Sequence, residues 1–278
     1  MEIREEIAKR DTRTTQELVK AILSTKDEDD AWALVQVLHA RGTQTELNVA
    51  QSLCKSKTSI ERELGADILG QLGAADYTYM KQSVEALLLL LSDQSYDVIS
   101  ASIVALAHRG DEIAVNHIVK LKNHPDDSIR ESVAYALGVI GGESPNAIES
   151  LIQLSRDKNN DVRNWATFGI GTQLEKDSTE IRQALANRLN DEDSEIRGEA
   201  IVGLVKRKYP NIDRYILKEF HCDFVSLLSL EAAELSGDSI LYPELKKLQS
   251  DYRDLDDEYF LDQLNKAITA CQPKPERI

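Results

Sequence analysis

The side chains best suited to nucleophilic or metal chemistry in this sequence are five histidines and three cysteines. His39, His108, His117, His124 and His221 offer no pair spaced to set two ligands on one helical face beside a carboxylate or thiolate. Cys54, Cys222 and Cys271 are odd in number and far apart, which predicts buried, reduced thiols rather than a disulfide framework or a C-x-x-C pair. The stretch GIGTQL, from Gly169, contains a short G-x-G but lacks the third glycine and follows no strand, so it fails as a dinucleotide loop. Gly169 and Gly171 read instead as positions of close helix packing. No phosphate loop and no G-x-S-x-G elbow occurs. The expectation is a non-enzymatic chain with no catalytic residue, no metal and no cofactor.

Charge narrows the partners. Lys and Arg number 33 against 48 Asp and Glu, a formal charge of -15, which sets up a field that repels polyanions and attracts basic groups. Nucleic acid and anionic membrane are therefore not expected, and a basic or mixed-charge protein is. The longest conspicuous apolar run, ALLLLL from Ala86 to Leu91, falls far short of the about 20 residues that span a bilayer. The opening MEIREEIAKRD has no apolar core after its charges, which reads as no secretory signal and predicts a cytoplasmic protein.

The elements that must position these residues are repeated helices. Aligning ERELGADILGQLG (from Glu61) with IRESVAYALGVIG (from Ile129) places Gly65, Ala66, Leu69, Gly70 and Gly73 on Val133, Ala134, Leu137, Gly138 and Gly141, and Arg62 on Arg130. The same template finds copies starting at Val98, Val162 and Ile196, and a worn copy at Asp30, DAWALVQVLHARG. The starts differ by 31, 37, 31, 33 and 34 residues by subtraction, the period of a helical solenoid. Amphipathic segments such as EALLLLLS and AIESLIQLS lie between the copies, so each unit is a helix pair. The links into the repeated helix, SDQSYDV, NHPDDSIR, RDKNNDVR and NDEDSEIR, supply side-chain caps for its first N–H groups.

The acidic turn, the Val/Ile-Arg pair at 129/130, 162/163 and 196/197, and the Ala/Leu/Gly helix that follows resemble the HEAT repeats. The closest type is the short bacterial HEAT-like repeat named after bilin lyases, and the resemblance covers roughly residues 30 to 240. It implies an all-α fold, a right-handed α-solenoid of about seven helix pairs with about thirteen or fourteen helices. Residues 1–29 are expected as N-terminal capping helices, 30–224 as the repeat array, and 225–278 as a capping repeat that ends in a frayed tail, QPKPERI. It also implies a ladder between neighbouring repeats made of Asp97, Asp161, Arg130, Arg163 and Arg197, broken by Ile99 in the third copy, while Glu61 departs from the apolar first position.

Numbering each copy from its Val/Ile position as zero, a turn of about 100° per residue puts positions 0, 4, 5, 8 and 12 on the core side and 3, 6 and 10 opposite. By the resemblance, this helix lines the concave side. The opposite positions are Leu64, Asp67 and Gln71; Ala101, Val104 and His108; Ser132, Tyr135 and Val139; Trp165, Phe168 and Thr172; and Glu199, Val202 and Lys206. Tyr135, Trp165 and Phe168 in consecutive copies suggest an aromatic binding platform. With His108, and with Asp67 and Glu199 as an acidic rim, they form the candidate protein-binding set. The family resemblance implies a scaffold or adaptor, and the acidic charge alone suggests the variant of an inhibitor of a basic partner, of the immunity or antitoxin kind. The alternative it leaves open is a bilin-lyase-like enzyme holding a tetrapyrrole against Tyr135, Trp165 and His108.

Overall fold

The computed structural model describes residues 2–73, 76, 78–253 and 255–273, with side chains from residue 6 onward. The expected tail lies outside the described residues from 274 on, as does Asp254 of the acidic capping segment. Among the described residues there are seventeen α-helices and no strand. No helix among them is long and apolar enough to cross a membrane.

The chain is an α-solenoid of helix pairs and divides into two compact units, Met1–Ala147 and Ile148–Ile278. The repeated helices of the first unit are α3 (Glu28–Arg41), α5 (Ser59–Gly70), α7 (Tyr96–Arg109) and α9 (Asp127–Ile140). Their outer companions are α2 (Thr15–Ser24), α4 (Gln44–Leu53), α6 (Met80–Leu90) and the short α8 (Val115–Ile118), and α1 (Glu2–Lys9) precedes them. After α10 (Pro145–Leu154), which holds the boundary, come α11 (Asn160–Phe168), α12 (Thr179–Arg188), α13 (Ser194–Lys206), α14 (Asp213–Phe220), α15 (Leu227–Ser236), α16 (Tyr242–Asp251) and α17 (Glu258–Cys271). The residues from 225 on thus continue the pairing, and the repeated helices among the described residues number eight, two more than the six repeat copies.

Each repeated helix begins just after a polar N-cap three residues ahead of the position at which its repeat copy starts. Asp126, Asn159, Asp193, Ser226 and Asp257 accept hydrogen bonds from first-turn N–H groups, which would otherwise lack partners. The core face lies where the 100° rotation puts it: Ile129, Val133, Ala134 and Leu137 are fully buried, as are Val162, Ala166 and Ile170, and Ile196, Ala200, Ile201 and Leu204. Within each unit the repeated helices pack against one another more extensively than the outer helices do. Small residues make this possible. A Cβ on Gly203 would lie 2.6 Å from the Cα of Gly171, so α13 crosses the end of α11 at a distance that only glycine allows.

An arginine ladder fixes the turns. Arg62, Arg163 and Arg197 each stand four residues after their helix's N-cap position and donate through Nη1 to two carbonyls of the turn just before: Ser56 and Lys57, Asp157 and Lys158, Asp191 and Glu192. The rest of each guanidinium forms a bidentate pair with an acid of the next repeat, a geometry that suits its planar fork. Arg62 meets Asp93 at 2.7 Å, Arg163 meets Asp191 at 3.1 and 3.2 Å, and Arg197 meets Glu219 at 2.7 and 3.0 Å. Asp97 and Asp161, the expected partners, are exposed in the first helical turn and are not the ladder acids. The acid that reaches Arg62 or Arg163 stands two residues before the next N-cap, inside the turn, and the one that reaches Arg197 is Glu219 on α14, whereas Asp97 and Asp161 lie past the cap and are exposed.

Two other expectations change. Cys54 and Cys271 are buried, and burial raises their thiols to about 12 and about 11, but Cys222 is exposed in the turn after α14. The end of α11 widens into a π turn over Gly169–Gln173, which frees carbonyls from the helical ladder. Arg207, only 6% exposed, donates to the carbonyls of Ile170, Gly171, Leu174 and Lys176 and so satisfies them.

Candidate functional site

The face of the repeated helices opposite the core is narrower than a helical wheel suggests. Leu64 and Val202, assigned to it by rotation, are 5% and 1% exposed and belong to the core. Closely packed repeated helices leave little open width between rows. The side chains that remain open form two sets, one in each unit.

In the first unit, His108 on α7 lies between its neighbours. Gln71 Nε2 is 3.4 Å from its Nδ1 and the Tyr135 hydroxyl is 3.3 Å from its Nε2, with the two rings edge to face at 6.3 Å. A Gln71 amide donating to Nδ1 sets the tautomer, so Nε2 carries the hydrogen and donates to the Tyr135 oxygen. Partial burial lowers the pKa of His108, which favours the neutral ring. Asp67 lies half-buried on the adjacent α5. Burial first, and the neighbouring charge of Glu63 second, raise its carboxyl to about 7. Glu63 is itself raised, by burial and then by Asp97.

Two residues outside the candidate set complete this face. The backbone oxygen of Asp67 accepts from His39 Nε2 at 2.9 Å, and burial depresses that imidazole to about 4. Trp32 packs edge-on to His39 at 5.8 Å and is 42% exposed. Both come from the worn first copy. Their positions there, 2 and 9, lie outside the 3-6-10 face that the clearer copies define, so only their residue types could have drawn attention to them.

In the second unit, Trp165 and Phe168 meet edge to face at 5.9 Å, one helical turn apart on α11. Trp165 is 36% exposed and Phe168 half-buried, so this pair is a partly open ledge. On α13, Glu199 accepts a hydrogen bond from Thr172 at 3.0 Å. Its carboxyl is nevertheless raised: burial is the largest cause, Thr172 opposes it, and Glu231 and Glu195 push up further against a weaker pull from Lys206.

Of the six expected residues, the structure joins His108 to Tyr135 and Trp165 to Phe168. Asp67 and Glu199 are placed as carboxylates crowded by other acids. The chemistry on offer is recognition: two raised carboxyl groups that gain from a cation, next to ring edges and faces able to take apolar or cationic groups. Among the described residues no group of three or more His, Cys, Asp and Glu could hold a metal ion.

Comparison with known proteins places this geometry. A family model described as HEAT repeats matches residues 84–171 and 148–219. Protein YibA of Escherichia coli, from strain K12 and from O157:H7, is 31% identical over 250 residues, covering 87% of this chain and 84% of YibA. The X-ray structure of YibA aligns with a TM-score of 0.70 at 28% identity, over 96% of this chain and 95% of that one. An archaeal HEAT-like repeats protein from Thermococcus onnurineus aligns at TM-score 0.52 and 16% identity, over 93% of this chain and 100% of that one. The complex of CpcE and CpcF of phycocyanin lyase from Nostoc gives 0.51 at 16%, over 81% and 94%; at such identity these last two likenesses are of fold alone.

Proposed function

Because the chain belongs to the HEAT-repeat family of the bacterial protein YibA, we propose that it is a non-enzymatic scaffold that binds another protein along the open face of its repeated helices. The partner is basic or of mixed charge. The observation that carries this reading is the state of the acids on that face: Asp67, Glu63 and Glu199 are crowded by burial and by like charge, and their carboxyls are pushed up. A lysine or arginine from outside would relieve both terms at once. Asp67 would then lose its proton and gain a counter-ion, so the face is complementary to a cation that the chain itself does not supply. Tyr135, His108, Trp165 and Phe168 add ring surface that contributes affinity at little entropic cost.

Inhibition of a basic enzyme, of the immunity or antitoxin kind, is the variant this electrostatics favours, since an acidic face can cover a basic active site. The acidic field argues against nucleic acid and anionic membrane as ligands. Free thiols, two of them buried at Cys54 and Cys271 and one exposed at Cys222, suit a cytoplasmic setting.

Charge reversal tests the proposal. Immobilised wild type and the Asp67→Lys/Glu199→Lys variant are exposed to host extract at low and then at high salt, and captured proteins are identified by mass spectrometry. A basic protein held by the wild type, released by salt and absent from the variant is the expected result. Equal capture by both would overturn the assignment to this face.

A further inference from the structure

The ladder position two residues before the N-cap changes character in the last two repeats. Earlier it is polar in every repeat, holding Thr25, Ser56, Asp93, His124, Asp157 and Asp191, and Arg62 and Arg163 engage Asp93 and Asp191. Ahead of the caps Ser226 and Asp257 it holds Phe224 and Leu255. The fold does not use these side chains: Phe224 is 77% exposed and Leu255 40%. Arg197, with no acid at 224, pairs with Glu219 of α14, and the next ladder arginine is replaced by the buried Leu230. The ladder is thus closed without residues 224 and 255, and both lie open at the turn.

Two more apolar side chains share this edge. Leu227 is the first residue of α15 and Tyr259 the second of α17, and they are 42% and 63% exposed. The helices run parallel and meet at their carboxyl ends, where Cys271 Sγ lies 3.2 Å from the Ala233 carbonyl and a Cβ on Gly237 would sit 3.5 Å from the carbonyl of Ala270. Their amino ends, and the turns before them, therefore lie along the same edge of the second unit. Exposed apolar residues in the first helical turn occur in earlier repeats as well, Ile60 on α5 and Tyr96 on α7, but no earlier turn has one two residues before its cap, so it is Phe224 and Leu255 that depart from the repeat's own pattern. Exposed apolar strips with polar rims are features of interaction sites. The rim here is acidic, with Asp223, Asp256 and Glu258 all exposed.

We propose that this turn edge is a second docking surface, separate from the open face of the repeated helices, and that it receives an amphipathic helix of a protein partner with lysine or arginine beside its apolar stripe. The apolar stripe covers Phe224 and Tyr259, and the basic flank meets the acids.

The test uses the full chain and a labelled synthetic helix of leucine and lysine in amphipathic spacing, titrated by fluorescence anisotropy. Phe224→Asp restores the residue type of the earlier turns, so thermal unfolding should not change, while peptide affinity should fall about tenfold or more. Because the substitution adds negative charge, attraction by charge alone would strengthen binding instead. Unchanged or tighter binding by Phe224→Asp overturns the proposal. Tyr259→Ser should weaken binding in the same direction, and it carries the test if Phe224→Asp does not fold. Asp67→Lys, in the first unit, should leave the Phe224-dependent loss intact. Sedimentation showing a dimer that Phe224→Asp dissolves would assign the strip to a second copy of this chain and also overturn the proposal.

Discussion

Asp93 and Asp191 at the turn edge, and Asp67 and Glu199 on the open face, are the same kind of group in the same kind of repeat, yet they titrate in opposite directions. Hydrogen bonds from Arg62 hold the Asp93 carboxyl below its usual range. Burial alone would raise Asp191, but Arg163 and the Asp193 N–H outweigh it and the carboxyl ends lowered. Asp67 and Glu199 are raised chiefly by burial: like charge from Glu63 adds to it at Asp67, and at Glu199 the hydrogen bond from Thr172 and the charge of Lys206 do not offset it. The lesson lies in which cation the chain provides. Where an arginine of the preceding repeat reaches an acid, that acid staples the solenoid; where none does, the acid destabilises the free protein and favours a cationic partner.

The comparison breaks most visibly at the staples. Arg197→Met leaves Glu219, whose side chain is 6% exposed, without its partner, and should cost about 3 kcal/mol of stability in urea unfolding, as lost partners of buried ion pairs do. The double variant Arg197→Met/Glu219→Leu should recover most of that loss, because no buried charge then lacks a partner. Arg163→Met should cost less, because Arg188 Nη1 still holds Asp191 at 2.9 Å.

The open face should respond with the opposite sign. The folded pKa of Asp67 is raised from 3.8 to about 7, so the folded state binds more protons than the unfolded state between these values, and stability falls as pH rises through that window. Asp67→Asn removes the effect. It should be nearly neutral at pH 4 and stabilising by roughly 2 kcal/mol at pH 8, about half of what a rise from 3.8 to about 7 would give a fully buried group. A stability difference that does not change with pH would contradict this.

Much of this division was legible in the sequence, and what was missed has physical causes. The repeat starts at 61, 98, 129, 162 and 196 lie two residues inside the observed helices, because Val/Ile at that position is the first residue to reach the core while the cap lies further out. Gly171 was legible as a close contact, and Arg163 and Arg197 as staples. The staple acids were not, since Asp97 and Asp161 look equally suitable in one dimension and only the path of the turn decides which carboxylate reaches the guanidinium. Leu64 and Val202 were misplaced because a helical wheel gives a direction and not the distance to the next helix. Phe224 and Leu255 were invisible as a pair until the ladder register put both at the acid's position.

Trp165 sharpens the contrast between open face and core at the smallest scale. At 36% exposure it should cost about 1 kcal/mol on change to Ala, against about 3 kcal/mol for the fully buried Leu137→Ala. Partner affinity should fall for Trp165→Ala by about 2 kcal/mol, as at a hot spot. Equal melting of the two variants would move Trp165 into the core.

The most direct test of the central claim is the titration of one carboxyl group. Carbon-13 NMR of the Asp67 side chain, assigned through Asp67→Asn, should give a midpoint of about 7 in the free protein and a clearly lower one with a saturating lysine-rich peptide. A midpoint near the ordinary aspartate value of about 4 in the free protein, or no movement when the peptide binds, would show that the open face is not waiting for a cation.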